Sequence, residues 1–105
     1  MAFLITVSPE STTISIKPSG VFDLSLGFAL WQYGQPDRRP YLNYWFDLSG
    51  VTETHDSGLG WLRMFVRWAQ ERGTSVHLFN ARPDIGERFT AAGLVVEDWT
   101  GGTGE

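Results

Sequence analysis

Phe46-Asp47-Leu48-Ser49-Gly50-Val51-Thr52, then Asp56-Ser57-Gly58-Leu59-Gly60, run from a strongly apolar segment into the start of a long amphipathic stretch that ends at Gly73. From Gly58 to Arg72 the residues Leu59, Leu62, Val66 and Ala69 recur at helical spacing on one side, and Arg63, Arg67, Gln70 and Glu71 on the other. That periodicity predicts an amphipathic helix with one buried stripe. Gly73 stands where a left-handed C-cap is wanted. Upstream, Tyr41-Leu42-Asn43-Tyr44-Trp45-Phe46-Asp47-Leu48 is too dense in aromatic and apolar residues for a solvent-facing alternation, and predicts a central strand covered on both faces.

Working outward, Phe3-Leu4-Ile5-Thr6-Val7 and Thr12-Thr13-Ile14-Ser15-Ile16-Lys17 flank Ser8-Pro9-Glu10-Ser11, the pattern of a hairpin. Pro18-Ser19-Gly20 reads as a break. Beyond it, Asp23 to Tyr33 places Leu24, Phe28 and Trp31 on one helical stripe, with Asp23 or Ser25 as its cap, and Gly34 to Pro40 reads as an exposed loop. After the long helix, Ser75-Val76-His77-Leu78-Phe79-Asn80 predicts a strand. Pro83-Asp84 opens a further helix carrying Ile85, Phe89 and Ala92 and closed by Gly93, and Leu94-Val95-Val96-Glu97 adds a short edge element. The expectation is one α/β domain over residues 1–99 with a mixed sheet of 4–5 strands and about 3–4 helices, parallel in its later strands, and a disordered tail over residues 100–105.

The 105 residues are 42% hydrophobic and 14% aromatic, with five Trp, which is ample material for one core; a chain of this size buries roughly two-thirds of its unfolded surface. No Cys is present, which excludes disulfides, a thiolate nucleophile and cysteine-based zinc sites, and fits a reducing cytoplasm. The net charge is −4 and Lys17 is the only lysine, so a cationic footprint for nucleic acid or anionic lipid is not expected. Neither a signal segment nor a membrane span is legible. A protein partner is the default, with the chain as a monomer or weak dimer.

The segment Asp56-Ser57-Gly58-Leu59-Gly60 after Phe46-to-Thr52, together with Gly20-Val21-Phe22-Asp23, Val76-to-Asn80 and Phe89-Thr90-Ala91-Ala92-Gly93-Leu94, resembles the STAS domain of anti-sigma-factor antagonists over nearly the whole chain. The resemblance implies that family's α/β fold and a regulatory binding module with no catalytic residues and no cofactor. It implies that Ser57, matched to the serine before the first glycine of the family's Asp-Ser-Ser-Gly-Leu-Gly motif, is phosphorylated by an anti-sigma serine kinase of the histidine-kinase-like ATPase type and restored by a serine phosphatase. Asp23, His55, Asp56, Gly58, Leu59, Gly60, Trp61 and Met64 then belong to the partner surface. Where the family has Asp-Ser before the phosphoacceptor, this chain has His55-Asp56. That departure motivates a second reading, a non-phosphorylated STAS subunit or adaptor of a lipid or anion transporter or of a signalling assembly.

Several of these residues have plainer readings. Ser57 fits a helix-start serine satisfying a backbone donor, and Asp56 fits a helix cap. Gly58 and Gly60 serve either close approach of a partner or a tight turn, since a helix interior disfavours each by about 1 kcal/mol relative to alanine. His55, Asp56 and Ser57 are consecutive, which keeps a base from reaching a nucleophile while a third group orients it, so a serine hydrolase is not expected. His77 reads as a packed or edge histidine, and Trp61, Met64 and Trp68 read as core or as an interface patch with Arg63 and Arg67 at its rim.

Overall fold

A computed structural model describes residues 2–10, 12–25 and 43–97. Five strands, β1 (Ala2–Val7), β2 (Thr13–Phe22), β3 (Asn43–Asp47), β4 (Gly50–Thr54) and β5 (Ser75–Phe79), form a single sheet, with helices α1 (Asp56–Glu71) and α2 (Pro83–Ala91). β1 and β2 make the expected antiparallel hairpin. β2 then pairs in parallel with β3 along Thr13 to Ile16 and with β4 along Ser19 to Phe22, and β3 pairs in parallel with β5. The sheet is mixed and parallel in its later strands, as the alternation of elements predicts.

One face of the sheet carries the core. Ile14, Ile16 and Phe22 of β2, Tyr44 and Phe46 of β3, Val51 of β4 and Leu78 of β5 are buried with Leu59 and Leu62 of α1 and Ile85 and Phe89 of α2. The α1 stripe is as the spacing predicts: Leu59, Leu62 and Ala69 are buried and Val66 is half-buried. Phe22 and Phe89 meet edge to face at 5.3 Å, joining the end of β2 to α2. Gly73 (φ 73°) and Gly93 (φ 88°) close the two helices in the left-handed region, where a side chain is strained.

Four expectations are corrected. Pro18-Ser19-Gly20 does not break the chain; it lies inside β2. The β3 pairing stops at Ile16 and the β4 pairing starts at Ser19, so the missing N–H of Pro18 falls in the gap between the two ladders, and Gly20 (φ 84°) absorbs the register shift that follows it. Among the described residues, helices cover β3 on one face only: Tyr44 and Phe46 are buried, while Trp45 lies half-buried on the other face, stacked on His77 at 3.9 Å. Gly50 to Thr54 form a strand that the sequence reading did not separate from its surroundings. Two helices are found among the described residues, fewer than the 3–4 expected. The helix expected from Asp23 to Tyr33 falls mainly outside the described residues, as do the Gly34–Pro40 loop and the tail from residue 100.

Candidate functional site

β2 and β4 end side by side, and the turn into α1 begins there. The His55 N–H donates to the Phe22 carbonyl (2.9 Å), which ties the residue before the helix to the end of β2. α1 starts at Asp56, two residues before the Gly58 start read from periodicity. His55 is the N-cap, in extended geometry and without a side-chain capping bond, so the expectation that Asp56 caps the helix is corrected: Asp56 is its first helical residue. The hydrophobic period cannot mark this start because Asp56 and Ser57 face solvent.

Gly58 explains how the helix is seated. It is buried, and a Cβ built on it would stand 2.8 Å from both the Asp23 Cα and the Phe22 carbonyl oxygen. The glycine therefore permits close approach of two parts of the same chain, the helix start and the end of β2. Gly60 is exposed with nothing within 4 Å of such a Cβ, and its role is not this one.

The approach at Gly58 brings Asp23 to the helix start. Asp23 Oδ1 accepts hydrogen bonds from the Ser25 hydroxyl (2.6 Å) and the Ser25 N–H (3.0 Å), and these bonds, the hydroxyl first, hold its carboxyl below the usual carboxylate range. His55 Nε2 lies 3.8 Å from Glu53 Oε2 in an exposed pair that is ionic only when the imidazole is protonated. Ser57, on the first turn, is exposed, and its hydroxyl makes no hydrogen bond among the described residues. The N–H groups of Gly58 and Leu59 both point to the His55 carbonyl, whereas those of Asp56 and Ser57 have no backbone acceptor among the described residues. No hydrogen bond links His55 to the Ser57 oxygen, so the three consecutive residues are not arranged as base and nucleophile.

Of the positions expected on a partner surface, His55, Asp56, Gly60 and Met64 are exposed, Asp23 and Trp61 are half-buried, and Gly58 and Leu59 face inward, where they seat the helix. The aromatic group on α1 divides. Trp61 stacks on Phe65 at 5.3 Å and Phe65 on Trp68 at 5.6 Å, with Phe65 edge-on to Tyr44 at 4.9 Å. The Arg72 guanidinium lies 4.6 Å above the Trp68 ring. Met64 projects outward at 72% exposure. It lies in an open groove of ≈ 370 Å³ lined by Gly60, Arg63, Met64, Arg67, Trp68 and Glu71. The sequence reading missed Phe65, which joins the two tryptophans, although its position four residues after Trp61 was a usable signal.

A five-stranded mixed sheet with a long helix entering from the paired ends of two parallel strands defines an α/β fold. No family model and no curated protein sequence matches the chain. Among solved structures it is similar to the anti-sigma factor antagonist SpoIIAA in its unphosphorylated form, with a TM-score of 0.67 and 18% identity over 89% of this chain and 82% of that one. The chain has the anti-sigma-factor-antagonist fold that the motif resemblance implies.

Proposed function

We propose that the protein is a regulatory binding module whose docking surface is the start of α1, switched by phosphorylation of Ser57. The observation that carries this reading is the exposure of an unengaged hydroxyl on the first turn of a 16-residue helix. A phosphate there meets the Asp56 and Ser57 N–H groups, which have no backbone acceptor among the described residues, and the positive end of the helix, and places about two negative charges on the exposed first turn. The unphosphorylated chain binds an anti-sigma factor of the histidine-kinase-like ATPase type through Asp23, His55, Asp56, Gly60, Trp61 and Met64. That ATPase phosphorylates Ser57 and dissociates, a phosphatase resets the module, and the antagonist itself catalyses nothing. Calorimetric binding of the ATPase to wild type and to Ser57→Asp tests the reading: the substitution weakens binding by about tenfold or more. Equal affinity refutes the switch.

The acidic Asp56 beside Ser57, which already puts a carboxylate on the first turn, favours a second reading as a constitutive subunit of a transporter or signalling assembly. In that case Ser57→Asp leaves partner binding unchanged while Trp61→Ala, Trp68→Ala or Met64→Ala weakens it.

A further inference from the structure

Among the described residues β1 pairs with β2 alone, and the register shows which of its backbone groups point away from that partner. The Ser8 N–H donates to the Thr13 carbonyl (2.8 Å), and the Thr13 N–H donates to Ser8 Oγ (3.1 Å), so the backbone groups of Thr13 point toward β1. The Thr12 carbonyl accepts from the Asn43 N–H (3.2 Å) and points toward β3. Strand alternation then directs Ser15, Lys17 and Ser19 toward β1, where they face Thr6, Leu4 and Ala2. The N–H and C=O groups of Phe3, Ile5 and Val7 are left pointing outward from the sheet.

An open edge is normally blunted by charge, proline or a bulge. Ala2–Val7 contains none of these: its sequence is AFLITV, its pairing with β2 is unbroken, and Leu4 is 71% exposed. The opposite edge of the sheet is treated differently. There the Glu97 N–H donates to the Leu78 carbonyl (2.6 Å), Glu97 bridges Phe79, and its Oε2 accepts from His77 Nδ1 at 2.6 Å, which places a carboxylate on the rim.

We infer that β1 pairs antiparallel with β1 of a second copy of this chain, with Ile5 on the twofold axis. In this register Phe3 faces Val7 and Ile5 faces Ile5, each facing pair exchanging two backbone hydrogen bonds, and Leu4 faces Thr6 on the other side of the sheet. A second copy is the occupant because the outward groups are symmetric about Ile5, every facing pair is uncharged, and the Phe3–Val7 and Ile5–Ile5 pairs are apolar on both strands. The outcome is one continuous sheet through two protomers. A single strand pair is smaller than the roughly 1,200 Å² of a standard interface, so the dimer is weak and concentration-dependent. The β1 pairing ends at Ser19, whereas the α1 start packs on Phe22 and Asp23, so the contact is independent of the Ser57 reading and uses none of its surface.

Sedimentation equilibrium of the full chain shows an apparent mass that rises with concentration from 11.8 kDa toward its double. Leu4→Lys/Thr6→Lys places lysines opposite one another across the axis at two exposed positions; the variant stays monomeric while its circular dichroism and melting remain those of wild type. The chain has no Cys, so a mixture of Leu4→Cys and Thr6→Cys proteins under oxidised glutathione reads the register: the mixture links into dimers more efficiently than either variant alone. A wild type that remains monomeric at millimolar concentration overturns the inference, as does a double-lysine variant that associates as wild type does, or a mixture that links no better than its components.

Discussion

The two glycines at the head of α1 have opposite environments, and single substitutions should separate them. A methyl group on Gly58 meets backbone atoms of Phe22 and Asp23 at 2.8 Å, atoms that cannot swing aside. Gly58→Ala is therefore expected to destabilise the protein by about 1–3 kcal/mol despite the better helix propensity of alanine. Gly60→Ala adds a methyl group to open space on an exposed helical position and is expected to stabilise by about 1 kcal/mol. Urea denaturation of the two variants checks both signs. The sequence shows that each glycine is unusual in a helix; it cannot show that one is held by contact and the other is free, because the contact is with residues more than thirty positions away.

Asp23 gives a pH-dependent prediction at the same scale. Its carboxyl is held below the ordinary value of 3.8 by the Ser25 hydroxyl and N–H. A depressed folded-state value means that ionised Asp23 stabilises the fold above the unfolded pKa, and that the contribution disappears as pH falls through the lowered value. Asp23→Asn is thus expected to melt below wild type at neutral pH, by a small amount because the carboxyl of this half-buried residue is itself open to solvent, with the two melting temperatures converging in acid. A gap that stays constant with pH would contradict the assignment. Asp47 is also lowered, although burial pushes its carboxyl upward: the Ser49 N–H at 3.0 Å, the Ser49 hydroxyl and Asn80 together outweigh that effect.

At the scale of elements, the strongly periodic segments were legible and the bent or short ones were not. α1, α2, β1 and β5 follow from hydrophobic spacing and their closing glycines. A Pro-Ser-Gly run ordinarily ends a strand, whereas in β2 two consecutive partners leave a gap that tolerates the proline. β4 was missed because only Val51 of its five residues is buried. Aromatic density does not reveal which face of β3 is packed: among the described residues Trp45 is held by His77 at 3.9 Å and by Phe79 at 5.8 Å and not by a helix layer. The α1 aromatic column yields a prediction of its own. Phe65 contacts Trp61, Trp68, Tyr44 and Phe46, so Phe65→Ala is expected to cost about 3–5 kcal/mol, whereas Met64→Ala, at the exposed groove, should lie within about 0.5 kcal/mol of wild type. Chemical denaturation distinguishes them.

At the scale of the whole molecule, the sheet gathers the ends of β2 and β4 and sets the α1 start upon them, so that Asp23 and Ser57, far apart in sequence, lie at one corner. The motif resemblance points to this corner, and the fold that builds it is like that of SpoIIAA. At the local departure, His55-Asp56, His55 takes the N-cap position without a side-chain bond and its backbone N–H donates to Phe22, and the Ser57 hydroxyl makes no hydrogen bond among the described residues. The proposed switch requires that this hydroxyl accept a phosphate. Intact-mass spectrometry with peptide mapping, after incubation of wild type and Ser57→Ala with ATP and a candidate anti-sigma serine kinase, measures it. One phosphate on Ser57 in wild type and none in the variant is the predicted result; a wild type left unmodified, or an equal gain in both proteins, contradicts it.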